Sequence, residues 1–252
     1  MIEIFILSLI QGVSEFIPIS SSSHLVIISE YFNFDNKDLS IDVSLHIGSF
    51  IAVMYYFRKE ILNFFKNKVL FLKIFISSLP VMFIGFYLAE TGEIEKVRNI
   101  KIIAWTTIIF GVLLYFSDKF KLEKNISANF SFKSALFIGF FQILSLIPGV
   151  SRSGIAITAA RLLKFKRVDA VKISFLLSIP ILGSVSAYGF KNILFSEDIN
   201  FTINNFLAIT LSFLFSLFTI KFFLRYINNF NLNIFVYYRI LLGVMLLVLT
   251  YL

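Results

Sequence analysis

The stretch that decides the fold is QGVSEFIPISSSSH, residues 11–24. It places a carboxylate, a proline, four consecutive serines and a histidine inside an otherwise apolar N-terminal segment. Polar groups are costly inside a membrane and usually mark functional positions there. The stretch therefore predicts an interrupted membrane helix that carries chemistry.

The composition around this stretch indicates a membrane protein. The chain has 252 residues, of which 58% are hydrophobic and 15% are charged, whereas soluble domains carry roughly 25% charged residues. Apolar runs of about 17–25 residues, each long enough to cross a bilayer as a helix, recur along its length. We predict one membrane domain over residues 1–252, all-α, whose first segment belongs to the mature fold. The absence of cysteine excludes disulfides.

Six apolar runs are predicted to be transmembrane helices: 41–58, 69–89, 100–117, 168–190, 204–224 and 234–251. Two other regions, 1–32 and 134–163, each consist of an apolar arm, an interruption rich in Pro, Gly or Ser, and a second arm. An arm of about a dozen helical residues spans only half a bilayer. Both regions are therefore predicted to be re-entrant helical hairpins, because broken backbone at that depth must be surrounded by protein or a water-filled cavity.

The loop charges favour this topology. With two hairpins, the loops with excess Lys and Arg share one face: 58–68, 118–133, 161–172 and 221–233. The opposite face receives loops without such an excess: 33–40, 90–101 and 191–203. The positive-inside rule then places the basic loops in the cytoplasm and both termini outside. The net charge of +8 is explained by these loops, so no nucleic-acid partner is expected.

The two hairpins would enter from opposite sides, which is the relation expected of an inverted-topology repeat. The predicted halves are approximately 1–117 and 130–252. Aligning Gln11 with Gln142 also pairs Ser20 with Ser151, together with three other positions: Ser14 with Ser145, Ile19 with Val150, and Ser22 with Ser153. These matches are few, but they agree with the topology.

The first interruption brings several polar groups together. Gln11 and Glu15 are four residues apart and lie on one helical face. Pro18 breaks the helix, and Ser20 to Ser22 are good N-cap residues for the second arm. His24 would lie one turn into that arm. Taken alone, the serines fit helix packing equally well, and His46, on a later apolar helix, is more simply explained as structural.

The second interruption is Pro148-Gly149, followed by a helix that opens with Ser151, Arg152, Ser153 and Gly154. Both interruptions thus present helix N-termini, which bind anions, and Arg152 adds a planar fork suited to phosphate oxygens. Glu15 beside such a site suggests a general base or a ligand of a hard divalent cation. A purely structural Glu15–Arg152 pair is the alternative. The combination of two helix N-termini with Arg152 and Glu15 favours phosphoryl chemistry.

The motifs QGVSEFIPISSSSH and PGVSRSG resemble the two signature regions of the bacterial undecaprenyl-diphosphate phosphatases, also called bacitracin-resistance proteins. The resemblance extends over the length of the chain. It implies a metal-dependent phosphatase of the plasma membrane that removes the terminal phosphate of undecaprenyl diphosphate, with the active site opening to the outer face. The lipid carrier of cell-wall synthesis would thereby be recycled. The implied cofactor is a divalent cation, Mg²⁺ or Ca²⁺.

The resemblance also implies roles for individual residues. The catalytic residues would be Glu15, Ser21, His24 and Arg152, and the cation would be held by Glu15 with Gln11. Arg152 would also bind substrate with five neighbours: Ser20, Ser22, Ser151, Ser153 and Gly154. Two positions depart from the family pattern, because Gln11 stands where Glu is frequent and Ala156 where Thr is frequent.

Three questions stay open at the level of sequence. His24 is favoured as nucleophile or proton-transfer residue, with direct attack by Ser21 or by water as the alternatives. The oligomeric state is undetermined, with a homodimer as one option. An alternative function is a transporter or flippase of a polyprenyl phosphate or another anion, since inverted repeats and broken helices are typical of transporters. Glu15 with His24 beside an anion site favours the enzyme, because transport alone would not require them.

Overall fold

The structure, a computed structural model, describes residues 1–31, 39–64, 68–97, 99–121, 123–195 and 203–251. These residues form thirteen α-helices and one 3₁₀ turn, Leu144–Leu146. The helices are α1 (Ile2–Ser14), α2 (Ser21–Tyr31), α3 (Leu39–Tyr56), α4 (Arg58–Phe64), α5 (Lys68–Glu90), α6 (Glu93–Lys96), α7 (Ile100–Asp118), α8 (Ile126–Asn129), α9 (Phe132–Ile143), α10 (Arg152–Leu162), α11 (Arg167–Phe195), α12 (Ile203–Asn229) and α13 (Asn233–Tyr251). The prediction of an all-helical chain is confirmed.

Five of the described helices, α5, α7, α11, α12 and α13, are long and apolar enough to cross a membrane. Each coincides with a predicted span. The sixth predicted span, 41–58, is also helical, as the 18-residue helix α3. Large apolar side chains point outward from these helices: Leu241 is 72% exposed, and Phe83 and Phe218 are each 69% exposed. This is the surface of an integral membrane protein, because lipid tails replace water around it.

The two interrupted regions are present as pairs of short helices. Their four arms, α1, α2, α9 and α10, have 13, 11, 12 and 11 residues. At 1.5 Å per residue each arm is well short of the roughly 30 Å hydrocarbon core. The breaks lie at residues 15–20 and 147–151. Ser20 and Ser151, the residues just before α2 and α10, both have positive φ, 79° and 69°.

Packing holds both interruptions inside the helix bundle. α3 packs against α11 and α12, and α7 packs against α13. α1 lies against α12, where a Cβ on Gly12 would be 2.9 Å from the backbone nitrogen of Ser216. α9 lies against α5, where a Cβ on Gly139 would be 2.9 Å from the carbonyl carbon of Ser77. Small residues thus allow both first arms to approach a long helix closely.

A buried ion network fixes the far end of the second interrupted region. Arg161, at the end of α10, is fully buried and donates from Nε to Asp118 Oδ1 at 3.2 Å. Its other nitrogens donate to backbone carbonyls, including that of Phe120 at 2.7 Å. Arg167 also donates to Asp118, at 2.8 Å. Because a buried charge is costly unless it is paired and hydrogen-bonded, this network ties α7, α10 and α11 together in one arrangement.

Candidate active site

The two interruptions meet in the interior of the bundle. Arg152, the first residue of α10, forms an ion pair with Glu15, the residue after α1. Next to it, Ser153 Oγ donates to the carbonyl of Ile17 at 2.8 Å. Phe16 is 1% exposed and packs edge-on against Phe175 at a ring-centroid distance of 5.4 Å. Residues more than a hundred positions apart therefore form one polar cluster.

Glu15 is the centre of this cluster. Its carboxylate is 8% exposed and is held by three side chains. Oε1 pairs with Arg152, while Oε2 accepts from Ser21 Oγ at 2.6 Å and from Gln11 Nε2 at 3.1 Å. A carboxylate that accepts a short hydrogen bond from a hydroxyl is the arrangement of a base beside a nucleophile.

The start of α10 presents donors to the same place. Ser151 is its N-cap, and its Oγ accepts from the backbone N–H of Gly154 at 3.2 Å. It also shares a hydrogen bond with Ser153 Oγ at 3.2 Å. Arg152 uses one of its nitrogens for Glu15 and makes no other hydrogen bond within the described residues. Its other N–H groups and the helix N-terminus can therefore receive phosphate oxygens.

The histidine of the first interruption is held by two hydrogen bonds. His24 Nδ1 lies 2.6 Å from the carbonyl oxygen of Ser20, and Nε2 lies 2.6 Å from the hydroxyl of Tyr238. The imidazole and phenol rings are stacked, with centroids 5.7 Å apart. Ser20 Oγ in turn shares a hydrogen bond with Ser23 Oγ at 2.9 Å. His24 thus connects the first interruption to α13.

A cavity of about 420 Å³ opens beside the cluster. Its lining includes five of the predicted site residues: Glu15, Ser20, Ser21, Ser151 and Arg152. Apolar side chains of α5 and α11, among them Val81 and Leu182, form its walls. Four other predicted site residues, Gln11, His24, Ser153 and Gly154, are not part of the lining, and the side chain of Ser22 lies outside the described part of the chain. Two residues of α3, Asp42 and His46, line it as well.

The position that departs from the family pattern in the second motif lies outside the cavity. Ala156 is completely buried in the hydrophobic core. Thr158, two residues later, donates from Oγ1 to the carbonyl of Gly154 in its own helix at 2.8 Å. Thr158 therefore does not replace the missing threonine at the polar cluster in this arrangement.

Sequence reasoning missed Arg239, which is completely buried in α13. Its guanidinium donates to backbone carbonyls of both interruptions: to Pro18 at 3.4 Å, to Gly149 at 2.9 Å and to Val150 at 3.1 Å. A fourth bond goes to the carbonyl of Thr107 at 3.2 Å. A charged residue inside an apolar helix was the available signal. Arg239 satisfies the carbonyls that the broken helices leave free.

Gly149 offers a test of how tightly the second interruption is held. Its φ is +92°, and a Cβ there would collide with Thr106 Oγ1 and lie 2.7 Å from the carbonyl oxygen of Ile103. Gly149→Ala is therefore expected to cost more than the roughly 1 kcal/mol of an unfavourable backbone conformation alone and to lower the melting temperature. Gly92→Ala is the matched control, because Gly92 also has positive φ, +69°, but no atom within 4 Å of the added Cβ. Equal melting temperatures for the two variants would contradict this account.

The residues predicted to hold a divalent cation do not fit one as they stand. Both oxygens of Glu15 are already bound by protein donors, one of them the positively charged Arg152. Gln11 directs its Nε2 donor at Glu15, and its Oε1 is buried without a partner in the described residues. A cation at Glu15 would have to displace the guanidinium that already balances the charge of this carboxylate.

The fold and the site define a class: a multi-pass helical membrane protein with a buried acid, arginine and serine cluster suited to phosphate. The family model of the bacitracin resistance protein BacA matches residues 4–245, and the chain belongs to that family. It is 52% identical to an undecaprenyl-diphosphatase of Pelagibacter ubique (strain HTCC1062), over 99% of this chain and 98% of the relative. It is 39% identical to an undecaprenyl-diphosphatase of Saccharophagus degradans, over 94% of this chain and 93% of the relative. The resemblance seen in the sequence is confirmed.

Proposed function

We propose that this protein hydrolyses undecaprenyl diphosphate to undecaprenyl phosphate and inorganic phosphate in the cavity beside Glu15 and Arg152. It would thereby recycle the lipid carrier of cell-wall synthesis and confer resistance to bacitracin. Full-length relatives carry the name of this enzyme. The observation that carries the proposal is the cluster itself, in which an acid, a hydroxyl and a guanidinium from two distant motifs line one cavity.

The cavity is suited to a lipid with an anionic headgroup. Its apolar walls on α5 and α11 would contact the prenyl chain. The polar end would receive the diphosphate, with Arg152, Ser20, Ser151 and the N–H groups at the start of α10 as hydrogen-bond donors. Ser153 would join them only by giving up its hydrogen bond to the carbonyl of Ile17. Donors already fixed by the fold stabilise the charge that develops during phosphoryl transfer. Gly154 belongs to this helix start through its backbone N–H, which already donates to Ser151 Oγ.

We infer that Ser21 is the nucleophile and Glu15 its base, because their 2.6 Å hydrogen bond is the only short hydroxyl–carboxylate contact among the described cavity residues. Ser21 Oγ would attack the terminal phosphorus and pass its proton to Glu15 Oε2. The bond from that phosphorus to the bridging oxygen breaks, and the lipid monophosphate leaves with the electron pair. Water then attacks the phosphoserine, which releases inorganic phosphate.

A quenched single turnover with substrate labelled in the terminal phosphate tests this assignment. We expect acid-stable label on wild-type protein, located at Ser21, and none on Ser21→Ala. Acid-labile label would indicate phosphohistidine and would favour His24, whereas no label in a burst that releases phosphate would favour direct attack by water.

His24 keeps its predicted catalytic role in the proposal as a proton-transfer residue. Its Nε2 is engaged by Tyr238, so this role requires that the tyrosine hydroxyl either relays the proton or gives way to substrate. If His24→Gln is as active as wild type, His24 takes no part in the reaction and its role is to connect α2 to α13.

The topology is part of the proposal. We infer two re-entrant hairpins in an inverted repeat, with basic loops in the cytoplasm and the cavity open to the outer face of the plasma membrane. Two observations support the repeat: the aligned serines Ser20 and Ser151 share positive φ, and α1 packs on α12 as α9 packs on α5.

Cysteine labelling tests the orientation. In this cysteine-free chain, Glu93→Cys should react with an impermeant thiol reagent outside intact cells and Lys59→Cys should not. The opposite result would reverse the orientation.

Reconstitution tests the function itself. Purified protein in vesicles that contain undecaprenyl diphosphate and Mg²⁺ or Ca²⁺ is expected to release inorganic phosphate. Transfer of the lipid between leaflets without phosphate release would instead support the alternative, a transporter or flippase. The rate of phosphate release per molecule of protein, measured at several protein concentrations, also tests whether a homodimer is needed.

A further inference from the structure

The charges of the cavity do not match those of its proposed ligand. Its described lining carries two carboxylates, Glu15 and Asp42, and one guanidinium, Arg152. The charge of Arg152 is already balanced by Glu15 through their ion pair. A diphosphate brings several further negative charges into a cavity of the membrane domain, where unbalanced charge is costly. A positive ion that enters with the substrate would balance this charge.

Asp42 is the carboxylate of the lining that is free to hold such an ion. It lies in the first turn of α3, is exposed to the cavity, and its side chain makes no hydrogen bond or ion pair within the described residues. The helix dipole favours an acid in a first turn, which explains the position along the helix. It does not explain why this carboxylate shares the wall of the cavity with an imidazole.

His46, one turn further along α3, is arranged as a metal ligand. Its Nδ1 lies 2.8 Å from the backbone carbonyl oxygen of Asp42, so the Nδ1–H donates there and the lone pair of Nε2 is left available. Histidines that bind metals commonly donate their other ring N–H to a backbone carbonyl in this way. The Nε2 of His24, in contrast, is already engaged by the hydroxyl of Tyr238.

We propose that Asp42 and His46 hold the divalent cation, together with phosphate oxygens of the substrate, on the wall of the cavity contributed by α3. This assignment rests on the proposed function, because the diphosphate supplies the remaining ligands. A carboxylate completed by substrate phosphates is usual for Mg²⁺, whereas the imidazole nitrogen of His46 is a donor for transition-metal ions rather than for Mg²⁺ or Ca²⁺, so the set favours an ion of that kind. The cation neutralises the diphosphate, while Glu15 and Arg152 keep their mutual pairing. The cation site is thereby moved from Gln11 and Glu15 to α3.

Spectroscopy of bound Mn²⁺ tests the assignment without turnover. The probe is Mn²⁺ added to purified full-length protein with a polyprenyl methylenediphosphonate, whose bridging carbon prevents hydrolysis. Pulsed electron paramagnetic resonance should show ¹⁴N modulation from one imidazole. Because the chain has two histidines, His24→Gln is a matched control that should keep the modulation, whereas His46→Gln should lose it.

Binding measurements complete the test. Asp42→Asn is expected to raise the dissociation constant of Mn²⁺ in the ternary complex about tenfold or more, with an unchanged melting temperature in the absence of metal. The proposal is overturned if wild-type protein with the analogue binds no Mn²⁺, if the ¹⁴N modulation is absent or survives His46→Gln, or if Glu15→Gln releases the ion while Asp42→Asn does not. Phosphate release by wild-type protein is measured separately, so failure of the phosphatase activity is distinguishable from failure of the metal site.

Discussion

Arg152→Ala is expected to reduce the rate of phosphate release by about 100-fold to 1,000-fold, the range found when a preorganised donor to a developing oxyanion is removed. Arg152 is the one cationic side chain in the described lining of the cavity. Its loss removes both the fork that receives phosphate oxygens and the partner of Glu15. The effect should appear in kcat, measured as phosphate release from undecaprenyl diphosphate under saturating conditions.

Arg152→Lys is the control that separates charge from geometry. Lysine can still pair with Glu15 but lacks the planar fork. The Arg152→Lys variant should therefore lose less activity than Arg152→Ala, and its melting temperature should be similar to that of wild type. If Arg152→Ala retained nearly normal activity while eluting as a monodisperse, folded protein, Arg152 would not belong to the active site.

Arg239→Leu is expected to have the largest effect on stability. The side chain is completely buried and donates to four backbone carbonyls, three of them in the two interruptions. Each buried acceptor left without a donor costs about 1–3 kcal/mol. The loss should therefore exceed about 3 kcal/mol and be seen as a large fall in melting temperature and in the yield of folded protein in detergent.

Asn228→Leu is a suitable comparison. Asn228 is exposed and donates to one backbone carbonyl of its own helix, that of Leu224, at 2.9 Å. Its replacement should change the melting temperature little. If Arg239→Leu and Asn228→Leu have similar melting temperatures, other contacts hold the interruptions together and Arg239 is not required for this.

The six predicted spans, α3, α5, α7, α11, α12 and α13, were predictable because each contains a long apolar run, and lipid selects for that pattern regardless of tertiary contacts. The interruptions were predictable from Pro18 and from Pro148 with Gly149, since each breaks the helical hydrogen-bond ladder locally. Sequence also gave the reason to expect Glu15 and Arg152 in one site. Their direct ion pair is a tertiary fact that only the structure supplies.

Other parts of the site could not be predicted because they depend on the rotation of whole helices. The sequence favours a structural role for His46 on an apolar helix, and only the structure shows that α3 places it with Asp42 in the lining of the cavity. His24 is predicted to be an active-site imidazole, but the sequence offers no sign that its Nε2 contacts Tyr238 of α13, more than two hundred residues away. Periodicity places a residue on a face of a helix, but it does not say which neighbour that face meets.

The central claim is that the two interruptions form one catalytic unit, and a double-mutant cycle on Glu15 and Arg152 tests it most directly. The single-turnover rate of phosphate release is measured for wild type, Glu15→Gln, Arg152→Gln and the double variant. Because paired catalytic residues act as a unit and their losses do not add, the double variant should be about as slow as the slower single variant. Losses that multiply, as for independent sites, would contradict the claim.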